Sequence, residues 1–104
     1  MNKLSGKTAV ITGAAAGFGK ATAFKFASEN VANMTLVDLN ENGLLETQKE
    51  IAQKYPSCKT IIVKADVSDE AAVKGFVERT VETFHSLDII FNNAGIEGHA
   101  AKIA

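Results

Sequence analysis

One stretch constrains this chain more than any other. Thr12-Gly13-Ala14-Ala15-Ala16-Gly17-Phe18-Gly19 stands directly after the apolar run Ala9-Val10-Ile11 and directly before a helical pattern that begins at Lys20. Strand, glycine turn and helix, in that order, place a helix N-terminus at the end of a buried strand. The N–H groups of a first helical turn have no intrahelical acceptor, and the helix dipole is positive at that end. The turn is therefore suited to an anion such as a pyrophosphate. Gly13 is expected to take a positive φ as the chain leaves the strand, Gly17 to let the backbone approach the phosphates, and Gly19 to let helix and strand pack closely.

A glycine turn alone is a weak signal, so the later strands have to support it. The next apolar run, Met34-Thr35-Leu36-Val37, ends at Asp38. That is close to the offset of about 20 residues at which an acidic side chain reaches the ribose hydroxyls of a dinucleotide. Ile61-Ile62-Val63-Lys64-Ala65 then runs into Asp66-Val67, and Ile89-Ile90-Phe91 runs into Asn92-Asn93-Ala94-Gly95.

With all four strand ends in hand, the sequence resembles the short-chain dehydrogenase/reductase family. The features that carry the resemblance are the T-G-x-x-x-G-x-G turn, the acid closing the second strand, the D-V pair after the third and N-N-A-G after the fourth. It implies an NAD(P)-dependent oxidoreductase that moves a hydride between a nicotinamide and a small-molecule alcohol or ketone, and a homo-oligomer in the full-length form. It also implies cofactor binding by Gly13, Ala15, Gly17, Phe18 and Gly19 in the turn, by Asp38 and Leu39 after the second strand, by Asp66 and Val67 beside the adenine, and by Asn93, Ala94 and Gly95 on the adenosine side. NAD is expected in preference to NADP, because a 2′-phosphate would meet the Asp38 carboxylate and neither Ala16 nor Leu39 supplies a cation to pair with it. The match reaches only the N-terminal part of a typical member. Residues 1–104 are therefore expected to be a cofactor-binding half-domain that ends before the catalytic segment, with no catalytic residue of its own.

Fold expectations follow from the alternation β-α-β-α-β-α-β with short connections, which implies right-handed crossovers and a parallel sheet. The expected architecture is α/β, a partial Rossmann-type doubly wound sheet of four strands in the order 3-2-1-4, with the first two helices on one face and the third on the other. The first helix is expected from about Gly17 to Glu29 with Ala23, Phe24 and Ala27 inward. The second follows an Asn40 cap and runs to about Tyr55, with Leu44, Ile51, Ala52 and Tyr55 inward. The third, capped by Ser68, carries Val73, Phe76, Val77, Val81 and Phe84 as its apolar stripe, with His85 at its end.

Composition excludes several classes. The chain has 104 residues with 11 basic and 12 acidic side chains, a net charge of -1, and no basic cluster suited to nucleic acid or a membrane surface. No segment approaches the roughly 20 apolar residues of a membrane span. Met1 to Lys7 lacks a long apolar core and the single Cys58 has no disulfide partner, so a cytoplasmic setting is expected.

Three competing patterns are weaker. Tyr55-Pro56-Ser57-Cys58-Lys59 has the letters of the family's Tyr-x-x-x-Lys, but Pro56 disfavours helix at Tyr55, and the pair falls at the amino ends of the strands. As a nucleotide triphosphatase loop, the stretch from Gly13 is one residue too long before Gly19-Lys20, and Ala21 stands where a Mg²⁺-binding hydroxyl is needed. A methyltransferase would share the turn and the acid, but not the glycine spacing or the Asn92-Asn93-Ala94-Gly95 turn. A nucleotide-binding module without catalysis remains the alternative to an enzyme. His99, in the loop beyond Gly95, is expected to be solvated.

Overall fold

The computed structural model describes residues 4–93. Short β-branched runs bounded by turn residues form the strands β1 (Thr8–Thr12), β2 (Asn33–Asp38), β3 (Lys59–Lys64) and β4 (Ile89–Asn92). Helices α1 (Gly17–Ser28), α2 (Glu41–Lys54) and α3 (Glu70–Phe84) connect them. The pairings between these strands are parallel, in the order β3-β2-β1-β4, as the alternation predicts. In register, Thr12 lies opposite both Val37 and Asn92, and Asp38 lies opposite Lys64, so the four carboxyl ends are level.

Every residue of β1 is buried, and its side chains alternate between two cores. Ala9 and Ile11 join Met34 and Leu36 from β2, Ala23 and Ala27 from α1, and Leu44 and Ile51 from α2. Val10 and Val37 point the other way, onto Phe76 of α3. Two helices thus cover one face and a single helix covers the other.

The helix stripes differ from expectation at the same relative position. In α2 the buried residues are Leu44, Thr47 and Ile51, while Ala52 is exposed. In α3 they are Phe76 and Thr80, while Val81 is 44% exposed. At 3.6 residues per turn, the eighth residue after the first apolar one has turned about 80° away from it, to the flank opposite the buried pair. The two threonines lie on the buried side because each hydroxyl finds a partner there. Thr80 donates to the Phe76 carbonyl at 2.8 Å and receives the hydroxyl of Thr35, 2.6 Å away on β2.

The caps also differ in part. Asn40 caps α2 as expected, accepting from the Gly43 N–H at 2.9 Å. Asp69, not Ser68, caps α3, accepting from the Ala71 N–H at 2.9 Å, because the Ser68 hydroxyl is bonded to Asp66. His85 ends α3 in the left-handed conformation at φ 64°. At the amino ends, Asp88 ties β4 to β1 by accepting the Thr8 N–H at 2.9 Å and donating its own to the Thr8 carbonyl at 2.9 Å. The Thr8 hydroxyl lies 2.8 Å from that of Ser86 and accepts from the Asn33 amide at 3.0 Å.

Candidate functional site

The order of the sheet reverses at β1, whose neighbours are β2 and β4, and the chain leaving β1 is the glycine turn. Gly13 adopts φ 67°, where a Cβ is disfavoured, and a Cβ there would also lie 2.6 Å from the Asn93 amide nitrogen. A Cβ on Gly19 would run into the Gly13 carbonyl, so glycine is what allows α1 to start this close to the strand. Gly17 has φ 60° and open space where its Cβ would be. In this chain its glycine answers a backbone need and leaves the approach to the turn clear.

Helix α1 begins without a side-chain cap: its N-cap is Ala16, and no acidic residue occupies its first turn. Helices α2 and α3, by contrast, have Asn40 and Asp69 in that role. Lys20 in the first turn of α1 is paired with Glu50 of α2 at 3.3 Å. The attraction for an anion at this end therefore comes from the backbone and the dipole.

Beside the turn, Gly13, Asp38, Leu39, Ala65, Asp66 and Val67 line a cleft of about 100 Å³. Asp38 is fixed there by backbone groups. Its Oδ2 accepts the Ala15 N–H at 3.0 Å and its Oδ1 accepts the Asn40 N–H at 3.0 Å, leaving each oxygen a further lone pair. The Asp38 carbonyl accepts the Ala65 N–H at 3.1 Å, which brings the ends of β2 and β3 together under the cleft. Asp66 accepts both the hydroxyl of Ser68, at 2.7 Å, and its N–H, at 2.9 Å. These bonds, the side-chain one first, hold the Asp66 carboxyl below its ordinary 3.8. Leu39 is 60% exposed at the lip, an apolar surface for a flat ring, and Phe18 is 80% exposed on the first turn of α1.

Five of the residues expected to bind a cofactor, Gly13, Asp38, Leu39, Asp66 and Val67, meet in that cleft. Asn93 lies against Gly13, and Gly17, Phe18 and Gly19 form the start of α1. Ala15 is nearly buried and its N–H is given to Asp38, so it supports the site from beneath. Ala94, Gly95 and His99 lie outside the described residues. Ala65 in the cleft and Thr47 beneath the turn were not foreseen. Thr47 had no sequence signal beyond its helical phase. Tyr55 is the C-cap of α2 and Lys59 the first residue of β3, at the amino end of the sheet and away from the cleft.

A parallel sheet with a reversal at β1, a glycine turn there and an acid at the end of the adjacent strand is a nucleotide-binding domain of the Rossmann type. The residues present fit a dinucleotide: an uncapped helix start, a Gly19 packed so closely on the Gly13 carbonyl that no Cβ is admitted, and an acid held with free lone pairs. A family model described as short chain dehydrogenase matches residues 7–104. The chain belongs to the short-chain dehydrogenase family. It is 46% identical over 101 residues to 3beta-hydroxysteroid dehydrogenase 2 of Eggerthella lenta, covering 97% of this chain and 38% of that protein. L-sorbose reductase of Gluconobacter frateurii, solved with NADPH and L-sorbose, superposes with a TM-score of 0.84 at 36% identity, covering 99% of this chain and 38% of that one. A short-chain dehydrogenase/reductase of Burkholderia phymatum, solved with NAD, superposes with a TM-score of 0.77 at 34% identity, covering 86% and 31%. The chain thus spans between 31% and 38% of the length of these relatives.

Proposed function

We propose that residues 1–104 form the cofactor-binding half of an NAD-dependent short-chain dehydrogenase/reductase acting on a small-molecule alcohol or ketone. The observation that carries the reading is Asp38, held by two backbone N–H groups at the wall of the cleft between the glycine turn and Asp66. The nicotinamide would supply or accept the hydride. The start of α1 would hold the diphosphate, Asp38 the ribose hydroxyls, and Leu39 with Asp66 and Val67 the adenine, while Asn93 would lie on the adenosine side with Ala94 and Gly95. A homo-oligomeric full-length form and a cytoplasmic setting belong to the same proposal.

Relatives of known structure were solved with either nicotinamide cofactor, so the choice rests on this chain's own residues. A 2′-phosphate would approach the Asp38 carboxylate with Ala16 and Leu39 as neighbours, neither of them cationic. Titration of NAD and NADP into the protein should show NAD bound more tightly. Asp38→Ala should narrow that preference at least several-fold, and should also weaken NAD itself, because Ala15 loses the acceptor of its N–H. Equal affinity of the unmutated protein for both cofactors would overturn the assignment.

A second reading, binding without turnover, draws on the position of Tyr55 and Lys59. They are the one pair with the family's proton-donor spacing in this stretch, and they lie at the opposite end of the sheet. A positioned acid is typically worth about 10² to 10⁴ in rate. Residues 1–104 in isolation are therefore proposed to bind the cofactor without measurable hydride transfer.

A further inference from the structure

The glycine turn is gripped from its inner side by a residue outside the cleft. Thr47, fully buried on α2, donates its hydroxyl proton to the Ala14 carbonyl at 3.0 Å. The other end of that same peptide group, the Ala15 N–H, donates to Asp38 Oδ2 at 3.0 Å. The Ala14–Ala15 peptide plane is thus clamped at both ends, by α2 and by the end of β2. The preceding peptide is held as well, since the Ala14 N–H donates to the Val37 carbonyl at 3.1 Å.

The clamp closes on itself through α2. Asp38 Oδ1 accepts the N–H of Asn40, and the Asn40 side chain accepts the N–H of Gly43. A Cβ on Gly43 would lie 2.7 Å from the Ala15 Cβ, so the first turn of α2 is pressed against the glycine turn with no room for a methyl group. A threonine inside a helix commonly turns its hydroxyl back to the carbonyl one turn earlier. Here the single proton goes across to another element.

We infer that Thr47 is a positioning residue for the diphosphate of the cofactor, acting through the Ala14–Ala15 peptide that it clamps against Asp38. The inference rests on the reading of the glycine turn as the diphosphate site. Valine in place of threonine keeps the shape and removes the proton, leaving the Ala14 carbonyl buried without that partner. The peptide relieves this cost by rotating. Rotation breaks the Ala15 to Asp38 bond and shifts the residues that lead into Ala16 and Gly17. A turn that is competent for only part of the time binds proportionally more weakly. Adenosine, whose ribose would meet Asp38 but which lacks the diphosphate, feels the change only through the lost Ala15 bond and so less than a ligand that also sits on the turn.

The test uses calorimetric titration of the full protein carrying this sequence with two probes, adenosine diphosphate ribose and adenosine, alongside thermal melting. Thr47→Val should raise the Kd for adenosine diphosphate ribose about fivefold, the size of one hydrogen bond's net contribution, with adenosine changed less than about twofold. Thr47→Ser, which restores the donor, should return the first value to within about twofold of the unmutated protein. A purely structural threonine would lower the melting temperature and leave the ratio of the two affinities unchanged; that result overturns the inference. Should Thr47→Val fail to fold, Gly43→Ala decides, because its methyl presses on Ala15: selective loss of adenosine diphosphate ribose supports the clamp, and an unchanged ratio rejects it. The underlying reading is tested separately by Gly17→Val. If that variant binds adenosine diphosphate ribose as well as the unmutated protein does, the turn is not the diphosphate site.

Discussion

A single acidic side chain shows how much one residue can carry here. Asp38 is proposed as the ribose acceptor, and both of its oxygens already hold backbone N–H groups, one from the glycine turn and one from the start of α2. It shapes the cleft and lines it at once, which is why its removal is expected to cost affinity as well as selectivity. Cys58 illustrates the opposite case. It is a free thiol, 8% exposed, and burial pushes it up to about 11 from 9.0. The thiolate is the reactive species, so the native protein at pH 8 should react with iodoacetamide far more slowly than the same chain in denaturant, as followed by mass. Because the unfolded thiol ionises first, stability should decline as pH rises from 9.0 toward 11, and remain insensitive to this group below that window.

At the scale of elements, α2 and α3 share one design. Each presents a buried threonine whose hydroxyl reaches another element: Thr47 donates to the glycine turn, and Thr80, which donates to the Phe76 carbonyl of its own helix, accepts the hydroxyl of Thr35 on β2. Hydropathy alone ranks Val81 above Thr80, yet Val81 is nearly half exposed and Thr80 is fully buried. The stability of α3 is therefore expected to reside in Phe76. Phe76→Ala should destabilise the protein by about 3–5 kcal/mol, whereas Val81→Ala should stay within about 0.5 kcal/mol, both read from denaturant unfolding. Comparable losses from the two substitutions would mean that the helix sits in another phase.

For the molecule as a whole, the two faces of the sheet are unequal. Among the described residues, the side covered by α1 and α2 holds 12 buried hydrophobic residues in its cluster, and the side covered by α3 holds three, Val10, Val37 and Phe76. Val63, Val77 and Ile90 on that second side are only partly buried. Among the described residues β4 is an edge strand that pairs with β1 alone, and strand edges favour association with further strands. Residues 1–104 prepared alone should accordingly self-associate through this edge and face, with an average mass in sedimentation that rises with concentration. A monodisperse, cooperatively unfolding monomer would contradict this.

The elements, their order and the dinucleotide-type turn were legible in the sequence because they depend on short-range rules. Apolar runs of strand length, glycine at Gly13 and Gly19, Asn40 as a cap and an acid at the end of β2 each declare themselves within a few residues. The parallel order 3-2-1-4 followed from the handedness of the crossovers and the resemblance to a family. Tertiary structure decided what depended on partners distant in the chain. Ser68 lost the cap of α3 to Asp69 because Asp66 takes its hydroxyl. Ala52 and Val81 turned outward because a threonine with a hydrogen-bond partner is as acceptable in a core as an aliphatic residue. Thr47 gained its place beneath the turn because the second helix, 33 residues further along the chain, packs against the peptide that follows the first strand.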